Sequence, residues 1–144
     1  MLTTSIKKGL ISGLKSYWFL IKIIIPVYLF ITILKHTPVM DALISAFTPL
    51  MSIFRLPGEA AVPLITGLII DEYGIIAAVK AVELTGYAVT VVIMMTVFSH
   101  SLFVEGVIIK KLGLSVTFFT TYRLIISIIT GFVLSYAGVV FGLW

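Results

Sequence analysis

The chain has no cysteine, which excludes a disulfide framework and any thiolate metal or redox centre. Charge is almost as scarce. Only 11% of the 144 residues are Asp, Glu, Lys or Arg, where a soluble domain carries roughly 25%. The net charge of +4 is spread too thinly along apolar runs to build the dense basic face that nucleic acid requires. Two histidines, His36 and His100, lie far apart in the chain and are weak evidence for a metal site. No serine–histidine, P-loop or zinc-protease pattern occurs. The residues therefore point away from an enzyme and imply no cofactor.

What remains is apolar: 60% of the residues are hydrophobic. A chain of this composition forms a bundle in lipid, and its length limits it to about four to six membrane segments of about 20 residues each. We expect one all-α domain over residues 1–144, a multi-pass protein of the cell's inner (plasma) membrane. It should have about three to five transmembrane helices and a re-entrant hairpin or broken helix.

In Met1 to Lys15, Ile6, Leu10, Ile11 and Leu14 recur at helical spacing beside Lys7, Lys8 and Lys15. The pattern predicts a short basic amphipathic helix on the inner membrane surface. Lys15 and Lys22 interrupt the apolar run and no small-x-small exit follows, so the terminus does not read as a cleavable signal. Tyr17 to Leu34 is the first predicted span, anchored by Tyr17 and Trp18, with Lys22 able to snorkel and Pro26 placed to kink it. Lys35-His36-Thr37-Pro38 ends it.

Asp41 to Phe54 is too short to cross a hydrocarbon core. It reads as one arm of a hairpin or broken helix over residues 41–70, with Asp41 as N-cap or first-turn acid and Pro49 inside the arm. Arg55 to Pro63 forms the tip and Leu64 to Ile70 begins the second arm. Asp71, Glu72, Tyr73 and Gly74 interrupt again, before a short helix from Ile75 to Val82. Thr85 to Ile109 is a long apolar stretch that ends at Lys110, Lys111 and Gly113, and Val116 to Leu143 is the last span. Gly131, Ser135, Gly138 and Gly142 place four small residues on one face of it, a surface for close helix packing. Lys7, Lys8, Lys15, Lys22, Lys110, Lys111 and Arg123 fall on one side, which predicts a cytoplasmic amino terminus.

A carboxylate inside a membrane segment is costly unless partnered or hydrated, which makes Glu59 the leading functional candidate. Pro57, Gly58 and Pro63 around it would free backbone N–H and C=O groups for coordinating a solute or ion. Arg55 is its nearest charged partner in sequence, and the alternative is a carboxylate reaching the interface at a loop. His100 and Glu105 form a second polar cluster, but on a straight helix they diverge by roughly 140°. A break at Ser99-His100-Ser101 would bring them together; otherwise His100 bonds a neighbouring helix and Glu105 pairs with Lys110. The adjacent acids Asp71 and Glu72 read as a solvated turn more readily than as a cation site.

Pro57-Gly58-Glu59, Pro63-Leu64-Ile65-Thr66-Gly67, Ser99-His100-Ser101 with Glu105, and Lys110-Lys111-Leu112-Gly113 together resemble the nucleoside-recognition, or Gate-domain, membrane proteins. That family includes the spore-maturation pair and modules of concentrative nucleoside transporters and of ferrous-iron transporter B. The likeness covers about Asp41 to Gly113. The iron transporter follows its Pro-Leu-Leu-Thr-Gly segment with Gly-Cys, where this chain has Leu68-Ile69-Ile70. The resemblance implies a half-transporter that binds a small polar solute or ion through Gly58, Glu59, Thr66, His100, Ser101 and Glu105. Its missing half would be a second copy or a related Gate-domain chain. The competing reading is an assembly protein whose hairpin docks another membrane protein without transport.

Overall fold

The structure is a computed structural model that describes residues 2–84 and 86–143, with the side chains of residues 2–4 left aside. Met1 and Thr85, which opened two of the predicted segments, lie outside the described residues, as does Trp144. Among the described residues seven α-helices follow one another: α1 Leu2–Lys35, α2 Pro38–Ile53, α3 Ala61–Ile69, α4 Glu72–Ala81, α5 Tyr87–Ser99, α6 Leu102–Lys111 and α7 Val116–Val140. A single 3-10 turn at Gly58–Ala60 precedes α3. Helix is the only regular structure among the described residues, as lipid demands of any segment without a closed barrel.

The first correction concerns the amino terminus. The basic segment and the first span are one continuous helix of 34 residues, about 50 Å long against a hydrocarbon core of about 30 Å. Lysine is a good helix former, so Lys7, Lys8 and Lys15 change the surroundings the helix tolerates without ending it. Lys22 Nζ turns back over the Trp18 ring, 5.8 Å from its centre, as a snorkelling side chain does. The helix runs on through Pro26.

The predicted break near Pro57 is present. α2 begins at Pro38, in the first-turn position where a missing N–H costs nothing, with Asp41 in its first turn. It ends in a paired cap, Leu56 N–H to Met51 O and Arg55 N–H to Ser52 O, each 3.0 Å, with Arg55 in the left-handed region at φ 55°. The axes of α2 and the Gly58–Ile69 segment then differ by 96°. That right-angled corner fits a broken span or a re-entrant loop alike, and a tight hairpin follows one element later. α3 and α4 are joined through Ile70 and Asp71 alone. Gly67 opposes Ile75, while Val62 shares a buried cluster with Ala78, Ala81 and Val82, so the two helices run antiparallel. Asp71 caps α4, its Oδ1 accepting from the N–H groups of Tyr73 at 3.1 Å and Gly74 at 3.0 Å.

α5 and α6 together form one of three candidate spans, Tyr87–Lys111; the others are Ser5–Lys35 and Val116–Val140, and the bent pair makes up to four. α7 packs on α5 through small residues. Ser127, Gly131, Ser135 and Gly138 are buried, and a Cβ on Gly131 would lie 2.6 Å from Met95 Sδ and 3.0 Å from Phe54 Cδ1. Gly142 does not belong to this stripe. It sits beyond the end of α7 at φ 64°, where Leu143 N–H bonds Gly138 O at 2.7 Å and Gly142 N–H bonds Val139 O at 3.2 Å. That double bond is the helix-ending turn that glycine permits, and Gly113 closes α6 in the same way. Lys35 and Glu83 form an ion pair at 3.5 Å, joining the ends of α1 and α4.

Candidate functional site

Two chain breaks meet inside the bundle: the Ile70-Asp71 tip of the α3–α4 hairpin and the His100-Ser101 step between α5 and α6. Each break frees backbone groups that lipid cannot satisfy, and the second supplies donors to the first. Ser101, left-handed at φ 51° and ψ 30°, donates its N–H to Gly67 O at 2.8 Å and its hydroxyl to Ile70 O at 2.5 Å. The end of α3 is thus capped by the break in the neighbouring span. Gly67 makes the approach possible, since a Cβ there would stand 2.8 Å from the Ile75 side chain and 3.2 Å from Thr96 Cγ2.

The last carbonyls of α5 are met by side chains. His100 Nδ1 lies 3.2 Å from Thr96 O and 3.1 Å from Val97 O. Both oxygens can only accept, so Nδ1 carries the proton. Arg123, on the second turn of α7, donates Nε to Phe98 O at 2.6 Å and pairs through its Nη1 with Glu105 Oε2. Ser127 donates to Met95 O at 2.8 Å. Glu105 Oε1 then lies 3.7 Å from His100 Nε2, and Glu72 Oε2 approaches the same nitrogen to 3.9 Å from the start of α4. Four helices therefore contribute one charge-bearing side chain each to a cluster roughly halfway along the Tyr87–Lys111 span.

Of the residues expected to form the site, His100, Ser101 and Glu105 come together here, because the break removes the divergence a straight helix imposes. Glu105 pairs with Arg123 and not with Lys110. Asp71 and Glu72 point apart, the first to its own helix and the second to His100. Gly58, Glu59 and Thr66 do not join the cluster. Glu59 is exposed at the far end of α3, roughly 15 Å away at 1.5 Å per residue. Arg55 is not its partner, for the guanidinium stacks 5.2 Å over the Tyr136 ring. Thr66 turns back to Val62 O at 2.8 Å. Gly58 is buried, and a Cβ there would run into Thr48 Oγ1 and come within 2.8 Å of Ile44 Cγ2. Its role in the structure is close contact with α2. Gly58→Val should cost about 1–3 kcal/mol by overpacking, and Gly58→Val with Thr48→Ala should recover part of it; equal thermal midpoints for all three proteins would count against that contact.

Sequence reasoning missed Arg123 and Glu72 as members of the cluster. A lone arginine within an apolar run is itself the signal, although charge counting groups Arg123 with the lysines on one side of the membrane. Among the described residues, no group of three or more His, Asp or Glu side chains is arranged to hold a metal ion.

This architecture, apolar spans interrupted by two helix breaks that meet at a polar cluster, defines a polytopic helical membrane protein with discontinuous helices. The family model described as Gate, nucleoside recognition, matches residues 17–115, a stretch that contains both breaks and every cluster residue except Arg123. The chain belongs to that family. It is 35% identical over 127 residues, 88% of its length, to the uncharacterized membrane protein YvoD of Bacillus subtilis (strain 168). The chain spans about two fifths of the length of that relative, 41%. No solved structure matches it.

Proposed function

We propose that the protein is a small half-transporter that binds, and carries across the membrane, a small polar solute or ion at the meeting point of its two helix breaks. One observation carries this reading: Glu72, His100, Glu105 and Arg123 converge from four helices where α3 ends against the α5–α6 break. Charged groups and broken helices within spans are expensive in lipid and mark solute or ion paths. The α3–α4 hairpin, too short to cross, enters the membrane from the side of Glu83 and turns at the cluster. The amino terminus is cytoplasmic, the membrane is the plasma membrane, and a second copy or a related Gate-domain chain completes the pathway.

Purified protein in liposomes tests this with uridine, adenosine, sodium ion and a primary amine as separate probes. Uptake of at least one above protein-free liposomes is expected, falling tenfold or more in His100→Ala. Wild-type uptake in Glu59→Gln would assign the site to the second break, and the opposite pattern would return it to the first. Failure of all four probes would favour a docking protein whose hairpin binds another membrane protein.

A further inference from the structure

One face of α1 carries positive charge that no acid in the chain answers. Lys8, Lys15 and Lys22 stand seven residues apart, a step that drifts only about 20° round a helix, so the three share a face. No Asp or Glu precedes Asp41, and among the described residues none of the three lysines enters an ion pair. Their depth follows from the far end of the helix, where Lys35 pairs with Glu83 at 3.5 Å. A hydrocarbon core of about 30 Å, measured back along α1 from that pair at about 1.5 Å per residue, ends at Lys15. Lys15 therefore stands at the level of the lipid phosphates. Lys22 lies deeper, and its Nζ turns back over the Trp18 ring toward the same level.

There α1 meets the start of α4 around a groove of about 340 Å³, lined by Lys15, Ser16, Phe19, Leu20 and Tyr73. Its polar residues bring an ammonium, a hydroxyl and a phenol, all hydrogen-bond donors. No carboxylate lines it. Asp71 and Glu72 flank Tyr73 in sequence, but Asp71 accepts from the N–H groups of Tyr73 and Gly74, and Glu72 turns to His100 at the end of α5. Phe19, 59% exposed, and Leu20 continue the groove one turn deeper. Donors at phosphate depth with apolar side chains below them match the order of groups along a glycerophospholipid. We infer that this groove binds a phospholipid of net negative charge, its phosphate among Lys15, Ser16 and Tyr73 and an acyl chain against Phe19 and Leu20. Free phosphate would leave the apolar pair uncovered. A choline headgroup would bring a second cation toward Lys8 and Lys15, and α1 has no carboxylate to receive it. The bound lipid ties α1 to the tip of the α3–α4 hairpin.

Native mass spectrometry of the protein released from an uncharged detergent counts bound lipids one at a time. The probes are dioleoylphosphatidylglycerol, dioleoylphosphatidylcholine and glycerol 3-phosphate, which has the phosphate without the chains. The first phosphatidylglycerol should bind at least tenfold more tightly than the first phosphatidylcholine. A hundredfold excess of glycerol 3-phosphate should not displace it. Lys15→Gln should weaken phosphatidylglycerol tenfold or more and Tyr73→Phe about threefold, while Lys15→Arg stays within twofold of wild type. Lys111→Gln removes a charge outside the groove and should change nothing. Glutamine forms helix about as well as lysine and Lys15 is exposed, so Lys15→Gln should keep the wild-type thermal midpoint in lipid-free detergent. Equal affinity for the two lipids, displacement by glycerol 3-phosphate, or wild-type affinity in Lys15→Gln would each overturn the inference. So would equal losses in Lys15→Gln and Lys111→Gln, the mark of diffuse attraction between a basic surface and an anionic leaflet. Lipid selectivity without uptake of any solute would sink the transport reading and leave this one standing; uptake without lipid selectivity would do the reverse.

Discussion

The Gly131→Leu protein is expected to lose about 3 kcal/mol of stability, near the top of the range for overpacking, and to part α5 from α7. Even the first added carbon has no room, with Met95 Sδ at 2.6 Å, Met95 Cε at 2.9 Å and Phe54 Cδ1 at 3.0 Å. Gly131→Ala should be far milder, about 1 kcal/mol, because the obstructing atoms of Met95 are the flexible end of a long side chain. Gly131→Ala with Met95→Ala should lose less than the sum of the two single changes, since each makes room for the other. In Gly131→Leu the damage extends beyond packing. Ser127, one turn before Gly131, donates to Met95 O across the same contact, and lipid offers no replacement partner. Unfolding by titration with sodium dodecyl sulfate in mixed micelles measures the series. A leucine protein that unfolds with the wild type would show that α7 does not lean on α5 through this stripe.

The stripe also shows what could be read from the residues and what could not. Gly131, Ser135 and Gly138 were legible as a packing face because their spacing is helical and small side chains are the means of close approach in lipid. Ser127 carries the same signal one turn earlier and extends the face. Gly142 was ambiguous, since a glycine at the end of a helical run serves equally as packing residue and as helix stop; only the bonds from Leu143 and Gly142 back into α7 decide it. The all-α membrane class followed from composition, and the break at Pro57-Gly58 from residues that cannot hold a helix. The break at Ser99-His100-Ser101 was legible as an option, because three polar residues in an apolar span are hard to keep in lipid. Which break gathers the charges was not legible. Glu59 stands in the more conspicuous Pro/Gly setting, yet the partners of Glu105 and His100 lie 18 residues ahead in Arg123 and on another helix in Glu72. Such pairings depend on how helices are set against each other, which no local pattern records.

Arg123 is the residue on which the cluster depends most heavily. Arg123→Met should destabilise the protein by about 3 kcal/mol, the low end of the range for breaking a buried pair, because the Arg123 and Glu105 side chains keep 13% and 32% of their exposure. The change leaves Glu105 with only His100 for company at 3.7 Å and takes the Nε donor from Phe98 O. Glu105→Met removes the stranded charge, so the double substitution Arg123→Met/Glu105→Met should recover most of the loss. A residual deficit of about 1–2 kcal/mol should persist, because Phe98 O remains without its donor. Arg123→Lys should fall between wild type and Arg123→Met. A single ammonium cannot reproduce the planar fork that reaches a carbonyl through Nε and a carboxylate through Nη1. Wild type and the four variants are compared by the same detergent titration, and wild type, the two methionine singles and their double give a coupling energy between positions 105 and 123. Additive losses would mean that the two side chains do not pair in the membrane. Strong coupling would mean that the α6–α7 contact is held in large part by this one ion pair.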